Sequence, residues 1–160
     1  KNNDVLIFCN SSVSTEFNFP IIDEYLDYFY QNEDIGIMGI SSNTKDQQSF
    51  IFNNFSPHIQ TLFFITSTFL LNEIVIANNG IFPGENSTLY NKYSIIQNGE
   101  LTLSKLTLRL DYSIAVVDQF GDVHKFKQNK KYYNCVSSWN LPKLDMRIAT
   151  NYPSQAKILQ

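Results

Sequence analysis

Glycine is scarce in this chain, with six residues, and proline scarcer, with five. No glycine-rich loop able to cradle a phosphate can be drawn, and no Ser sits in a G-x-S-x-G elbow. Arginine is nearly absent, with two residues against ten lysines, and the formal net charge is −3. A chain with no basic surplus has nothing to neutralise a phosphate backbone, so nucleic acid is excluded as a partner. Long hydrophobic runs are missing too. The longest, Thr61 to Ile76, is interrupted by Thr66, Ser67, Thr68, Asn72 and Glu73, so no transmembrane segment is expected. Histidine occurs only at His58 and His124, and cysteine only at Cys9 and Cys135. None of these lies close enough to another to form the ligand pairs of a zinc motif, so no metal or other cofactor is expected.

What is present is apolar and aromatic. Hydrophobic residues make up 43% and aromatics 14% of 160 residues. That is enough for one domain spanning 1–160 with a sizeable core, whether it stands alone or is a fragment of a longer surface protein. Three Asn-X-Ser/Thr triplets stand out, at Asn10, Asn54 and Asn86. Such triplets accept an oligosaccharide only on the secretory route. They point to a secreted or cell-surface glycoprotein, and a start at Lys1 rather than Met suits a chain whose signal peptide has gone. In that setting Cys9 and Cys135 are expected to pair. The loop closed would be nearly the whole chain, worth about 4–5 kcal/mol in the chain-entropy model. The competing reading is two buried thiols in a reducing compartment.

The pattern of short apolar runs predicts mostly strands. Val5–Phe8, Ile35–Ile40, Leu62–Phe69, Leu71–Ala77, Ile114–Val117, Val123–Lys127 and Tyr132–Val136 all read so, and Leu144–Ala149 is a further candidate. Asn98-Gly99 between Tyr93–Ile96 and Leu101–Leu110 reads as a hairpin turn. Asn78-Asn79-Gly80 ends the run before it, and Ser41–Gln48 reads as a polar loop. One segment has helical spacing. Ile21, Ile22, Tyr25, Leu26, Phe29 and Tyr30 form a stripe, with Asp23 and Glu24 at the positive end of the helix dipole. The expected fold is therefore all-β, an antiparallel sandwich or barrel with one short helix near 21–31. The regular spacing of Gly80, Gly99 and Gly121 leaves a β-solenoid as the alternative.

A set of short motifs between Asn72 and Leu141 follows a known order. Ile74-Val75-Ile76-Ala77-Asn78 precedes Phe82-Pro83-Gly84, then Tyr93-Ser94-Ile95-Ile96, Asn98-Gly99-Glu100-Leu101-Thr102-Leu103 and Tyr132-Tyr133-Asn134-Cys135. This resembles the carboxy-terminal domain of the fungal PIR-type cell-wall mannoproteins. The family domain carries more cysteines, and its glucan-linking repeat is absent here. The resemblance implies a fungal wall or surface protein, without covalent attachment.

No catalytic constellation emerges, and the chain is expected not to be an enzyme. Asp111, Asp118 and Asp122 suit either a calcium site or ordinary turns. Exposed aromatics are the better lead, because sugar rings stack on them. Tyr90, Tyr93 and Trp139 are the candidate ligand-binding residues. The expected role is structural or adhesive, with cell-wall polysaccharide or a cell-surface protein as partner. A carbohydrate- or protein-binding recognition module is the alternative.

Overall fold

The structure, a computed structural model, describes residues 4–9, 22–45, 55–87, 91–117, 123–128 and 147–149. In chain order its elements are β1 (Val5–Cys9), α1 (Ile22–Gln31), β2 (Ile35–Gly39), β3 (Ser41–Lys45), β4 (Phe55–Ile59), β5 (Phe63–Ser67) and α2 (Thr68–Ala77). Then follow α3 (Lys92–Ile95), a π-helical segment (Ile96–Leu101), α4 (Thr102–Arg109), β6 (Ser113–Val117), β7 (Val123–Phe126) and β8 (Arg147–Ala149).

Five strands form a mixed sheet in the order β1-β5-β2-β6-β7. Its central pair, β2 and β6, is parallel, and the other three pairings are antiparallel. A smaller antiparallel sheet has the order β4-β3-β8. The chain passes from one sheet to the other at Ile40, between β2 and β3.

Both faces of the large sheet are covered, which is why its central strands are apolar throughout rather than alternating. Every residue of β2 and β6 is buried. On one face Ile37, Phe64, Ile114 and Val116 pack with Leu70 and Ile74 of α2 and Leu103 and Leu106 of α4. On the other, Met38, Phe63, Ile65 and Ala115 pack with Tyr25 and Phe29 of α1. The register of β2 shifts between Ile35 and Ile37, so Ile35 and Met38 fall on the same face. Gly36 sits at that bulge.

This α+β architecture overturns the all-β expectation. Among the described residues there is neither a sandwich nor a closed barrel, and the antiparallel pairings rule out a solenoid. The helix near 21–31 is present as α1, and the Ile114–Lys127 hairpin as β6–β7. Three segments read as strands, Leu71–Ala77 and the two arms Tyr93–Ile96 and Leu101–Leu110, are helical instead. Ile74-Val75-Ile76 lies in α2, whose N-cap Ser67 accepts from Leu70 N–H at 3.2 Å. Asn78-Asn79-Gly80 does end the element, but as a helix stop. Asn79 takes φ 58°, Asn79 N–H bonds Ile76 O at 3.2 Å, and Gly80 N–H bonds Val75 O at 2.8 Å. These are the two bonds of a Schellman cap.

The expected hairpin around Asn98-Gly99 is a helix running from Lys92 to Arg109 with a π-turn inside it. Leucine favours helix over strand, and Leu101, Leu103, Leu106 and Leu108 are buried as a broad helical stripe. Thr102 Oγ1 donates to Gln97 O at 2.8 Å, satisfying a carbonyl in the wide turn. The helix stops as α2 does, with Asp111 at φ 65° and Tyr112 N–H bonded to Thr107 O at 3.2 Å. Asp111 is thus a helix-stop residue. Its proposed calcium partners Asp118 and Asp122 lie outside the described residues. Ser41–Lys45, read as loop, is strand β3 of the small sheet.

Candidate functional site

The residues picked from sequence do not converge. Asn10, Asn54, Tyr90, Cys135 and Trp139 lie outside the described residues. Asn86 is exposed in the turn that follows Pro83. Cys9 is exposed at the end of β1. Tyr93 is half-buried on α3, its hydroxyl accepting from Gln97 Nε2 at 3.1 Å. His58 is buried in β4 and His124 half-buried in β7.

What the fold does build is a groove of about 480 Å³ at the end of the large sheet. Its floor is the stacked pair Phe8 and Phe64, from neighbouring strands β1 and β5, with ring centroids 4.7 Å apart and planes 10° from parallel. Leu103 of α4 and Ile95 of α3 form one wall, and Phe82 and Pro83 the other. Phe82 and Ile95 are 38% and 39% exposed, so the rim is apolar as well as the floor. Apolar surface left open in this way marks a contact site more often than a core defect.

The walls meet through glycine. Gly84 has φ +90°, a conformation that suits glycine, and a Cβ there would lie 3.3 Å from the Cα of Gly99. Gly99 belongs to the π-turn, and such turns inside α-helices recur at functional sites. Because these two backbones touch, the residues that follow them, Glu85 and Glu100, both line the groove. Each carboxylate is oriented by the main chain. Glu100 Oε1 accepts from Thr61 N–H at 3.2 Å and from Thr61 Oγ1 at 2.7 Å. Glu85 Oε2 accepts from Phe82 N–H at 3.1 Å. The lip is further tied by Asn78 Nδ2 donating to Ile81 O at 2.7 Å and Ser87 Oγ donating to Ser94 O at 3.3 Å. Cys9 stands at the edge of the same groove.

A second polar cluster lies on the face that α1 covers. Asp34 contacts Lys127 at 2.9 Å and Lys125 at 3.3 Å, and accepts from Ser113 Oγ at 2.9 Å. Lys125 also bonds Asn32 Oδ1 at 2.7 Å and stands 5.8 Å over the ring of Tyr28. Lys127 first, then Ser113 and Lys125, hold the Asp34 carboxyl down from 3.8 to about 2, against partial burial that raises it. A depressed folded pKa contributes stability above pH 3.8 that is lost as pH falls towards 2. Asp34 is 37% exposed, so solvent screening limits the pair to about 0.5–1 kcal/mol. Asp34→Asn is expected to lower stability by that amount at neutral pH. It should also flatten the loss between pH 4 and pH 2, read from urea melts of both proteins across that range. The cluster is a clasp between the end of β7 and the turn before β2, in which two lysines share one carboxylate.

Among the described residues no group of three His, Cys, Asp or Glu could hold a metal ion, and no helix is long and apolar enough to cross a membrane. No protein-family model, no curated protein and no solved structure matches this chain.

Glu85, Glu100, Phe8, Phe64 and Phe82 are not among the candidate site residues drawn from the sequence; Phe82 and Glu100 enter there only within the mannoprotein-like motifs, and Phe8 and Phe64 only within strand runs. The one local hint was Asn98-Gly99, flagged for the right backbone freedom but assigned to the wrong element.

Proposed function

We propose that this chain is a non-catalytic, extracellular recognition module whose ligand site is the groove under the π-turn. The observation that carries the reading is the groove itself, with a stacked Phe floor, apolar Phe82 and Ile95 at its rim and two carboxylates oriented by hydrogen bonds. Its volume lies within the range of small-molecule sites. The lining offers few donors for sugar hydroxyls, so an apolar-bodied ligand fits better than a polysaccharide. n-Octanol, a neutral probe, is expected to shift the amide resonances of Gly84 and Gly99 on titration. Phe82→Ser with Ile95→Ser should weaken that binding about ten-fold or more. Both side chains are more than half covered, so the melting temperature should fall by several degrees, and binding is compared at a temperature where both proteins are folded. Absence of any shift, or unchanged binding by the double variant, would defeat the reading.

A second reading, a structural or adhesive glycoprotein of a cell wall or cell surface, draws on the three sequons and on the mannoprotein resemblance. The exposure of Asn86 suits it, since a glycan acceptor must be reachable. The Cys9–Cys135 bond belongs to the same reading. Intact mass of the natural material should fall on glycosidase treatment, and alkylation without reductant should leave both cysteines unmodified. Full alkylation and an unmodified polypeptide mass would remove the secretory premise.

A further inference from the structure

We infer that the groove selects organic cations, an ammonium head carried on an apolar body, and this rests on the groove being the ligand site. Glu85 and Glu100 follow the two glycines of the Gly84–Gly99 contact and line the same groove, and among the described residues that line it there is no Lys, Arg or His. Both carboxylates contribute negative potential to the same apolar-lined groove, and a cation entering it is attracted by both. Neither carboxylate is used up internally. Glu100 bonds Thr61 through Oε1, which leaves Oε2; Glu85 bonds Phe82 N–H through Oε2, which leaves Oε1.

The rest of the lining decides which kind of cation. A hard divalent ion wants six or more oxygen ligands, and the groove supplies two carboxylates among hydrocarbon. An ammonium group on an alkyl or aryl body is suited to both parts of the site. Its head meets the carboxylates through charge-assisted hydrogen bonds, and its body covers Phe8, Phe64 and Leu103. An anionic amphiphile of the same length would find the same floor and the wrong charge at the lip.

The test titrates three probes of equal chain length into the full chain, n-octylammonium, n-octanol and octanoate, each below its aggregation limit. The amides of Gly84 and Gly99 are the readout. Octylammonium is expected to bind about ten-fold tighter than octanol, the factor that a hydrogen bond to a charged group supplies, and octanoate more weakly than either. Glu85→Gln with Glu100→Gln should bring octylammonium down to the affinity of octanol and leave octanol unchanged. Glutamine keeps an oxygen to accept from Thr61 and Phe82, so the lip keeps its bonds. If the pair does not fold, each single variant should lose part of the preference. Equal binding of all three probes, or a preference that survives the glutamines, overturns the cation selectivity but leaves the groove as a site. No response to any probe removes the site as well.

Discussion

Phe64→Ala is expected to lower the unfolding free energy by about 3–5 kcal/mol, the range for truncating a buried aromatic. Phe64 is 4% exposed, lies in β5 between β1 and β2, and packs into the core beneath α2 and α4. Its removal strips the partner from the stacked Phe8 ring and leaves the core beneath α2 and α4 short of a large side chain. A domain of this size has about 5–15 kcal/mol to lose, so the variant should sit near the edge of folding at room temperature. Urea melts should show a lower midpoint with an unchanged slope. Phe8→Ala, on a half-buried ring at the sheet's edge, should cost clearly less. A loss below about 1 kcal/mol for Phe64→Ala would mean that the ring is not a core residue at all.

Gly36→Ala is the second large effect, and it works by excess rather than deficit. A Cβ at Gly36 would stand 2.6 Å from Leu70 Cδ2, 2.8 Å from Tyr112 Cβ and 2.9 Å from Thr107 Cγ2. Leu70 can rotate away, but Tyr112 Cβ moves only with its own main chain. That main chain is the Schellman stop between α4 and β6. Relief therefore pushes apart the bulged strand and the helix end at the middle of the sheet. The carbonyl of Gly36 is also committed, accepting from Thr66 Oγ1 at 2.9 Å. Overpacking of this kind costs about 1–3 kcal/mol, and the rigid contact puts Gly36→Ala at the upper end. A paired Leu70→Ala should recover part of the loss relative to the sum of the two single variants, which a double-mutant cycle measures. Simple additivity would show that the clash is not where the backbone places it.

The parts of the fold that local sequence announced share one property, which is that nothing distant competes with the local preference. α1 carries its stripe and its acidic first turn, and β6–β7 carries a run of Ile, Ala and Val. α2 lacked such agreement. Ile74-Val75-Ile76 is β-branched, yet the preference at stake is well under 1 kcal/mol per residue. Docking Leu70, Leu71 and Ile74 against the sheet removes far more apolar surface than that preference can oppose. The continuous apolar runs of β2 and β6 were themselves a signal of strands covered on both faces, hence of helices on both sides. Asn98-Gly99 marked a place of backbone freedom, and the leucines around it marked the helix that uses it.

Sequence alone determined the apolar content, the acidic balance, the three sequons and where several elements begin and stop, because these depend on residue type and near neighbours. Tertiary structure decided that the sheet is mixed and doubly covered, and that Phe8, Phe64, Glu85 and Glu100 face one groove. The reason is physical. A contact such as Gly84 on Gly99 arises from the packing of whole elements, and neither residue's chain neighbours carry any mark of it.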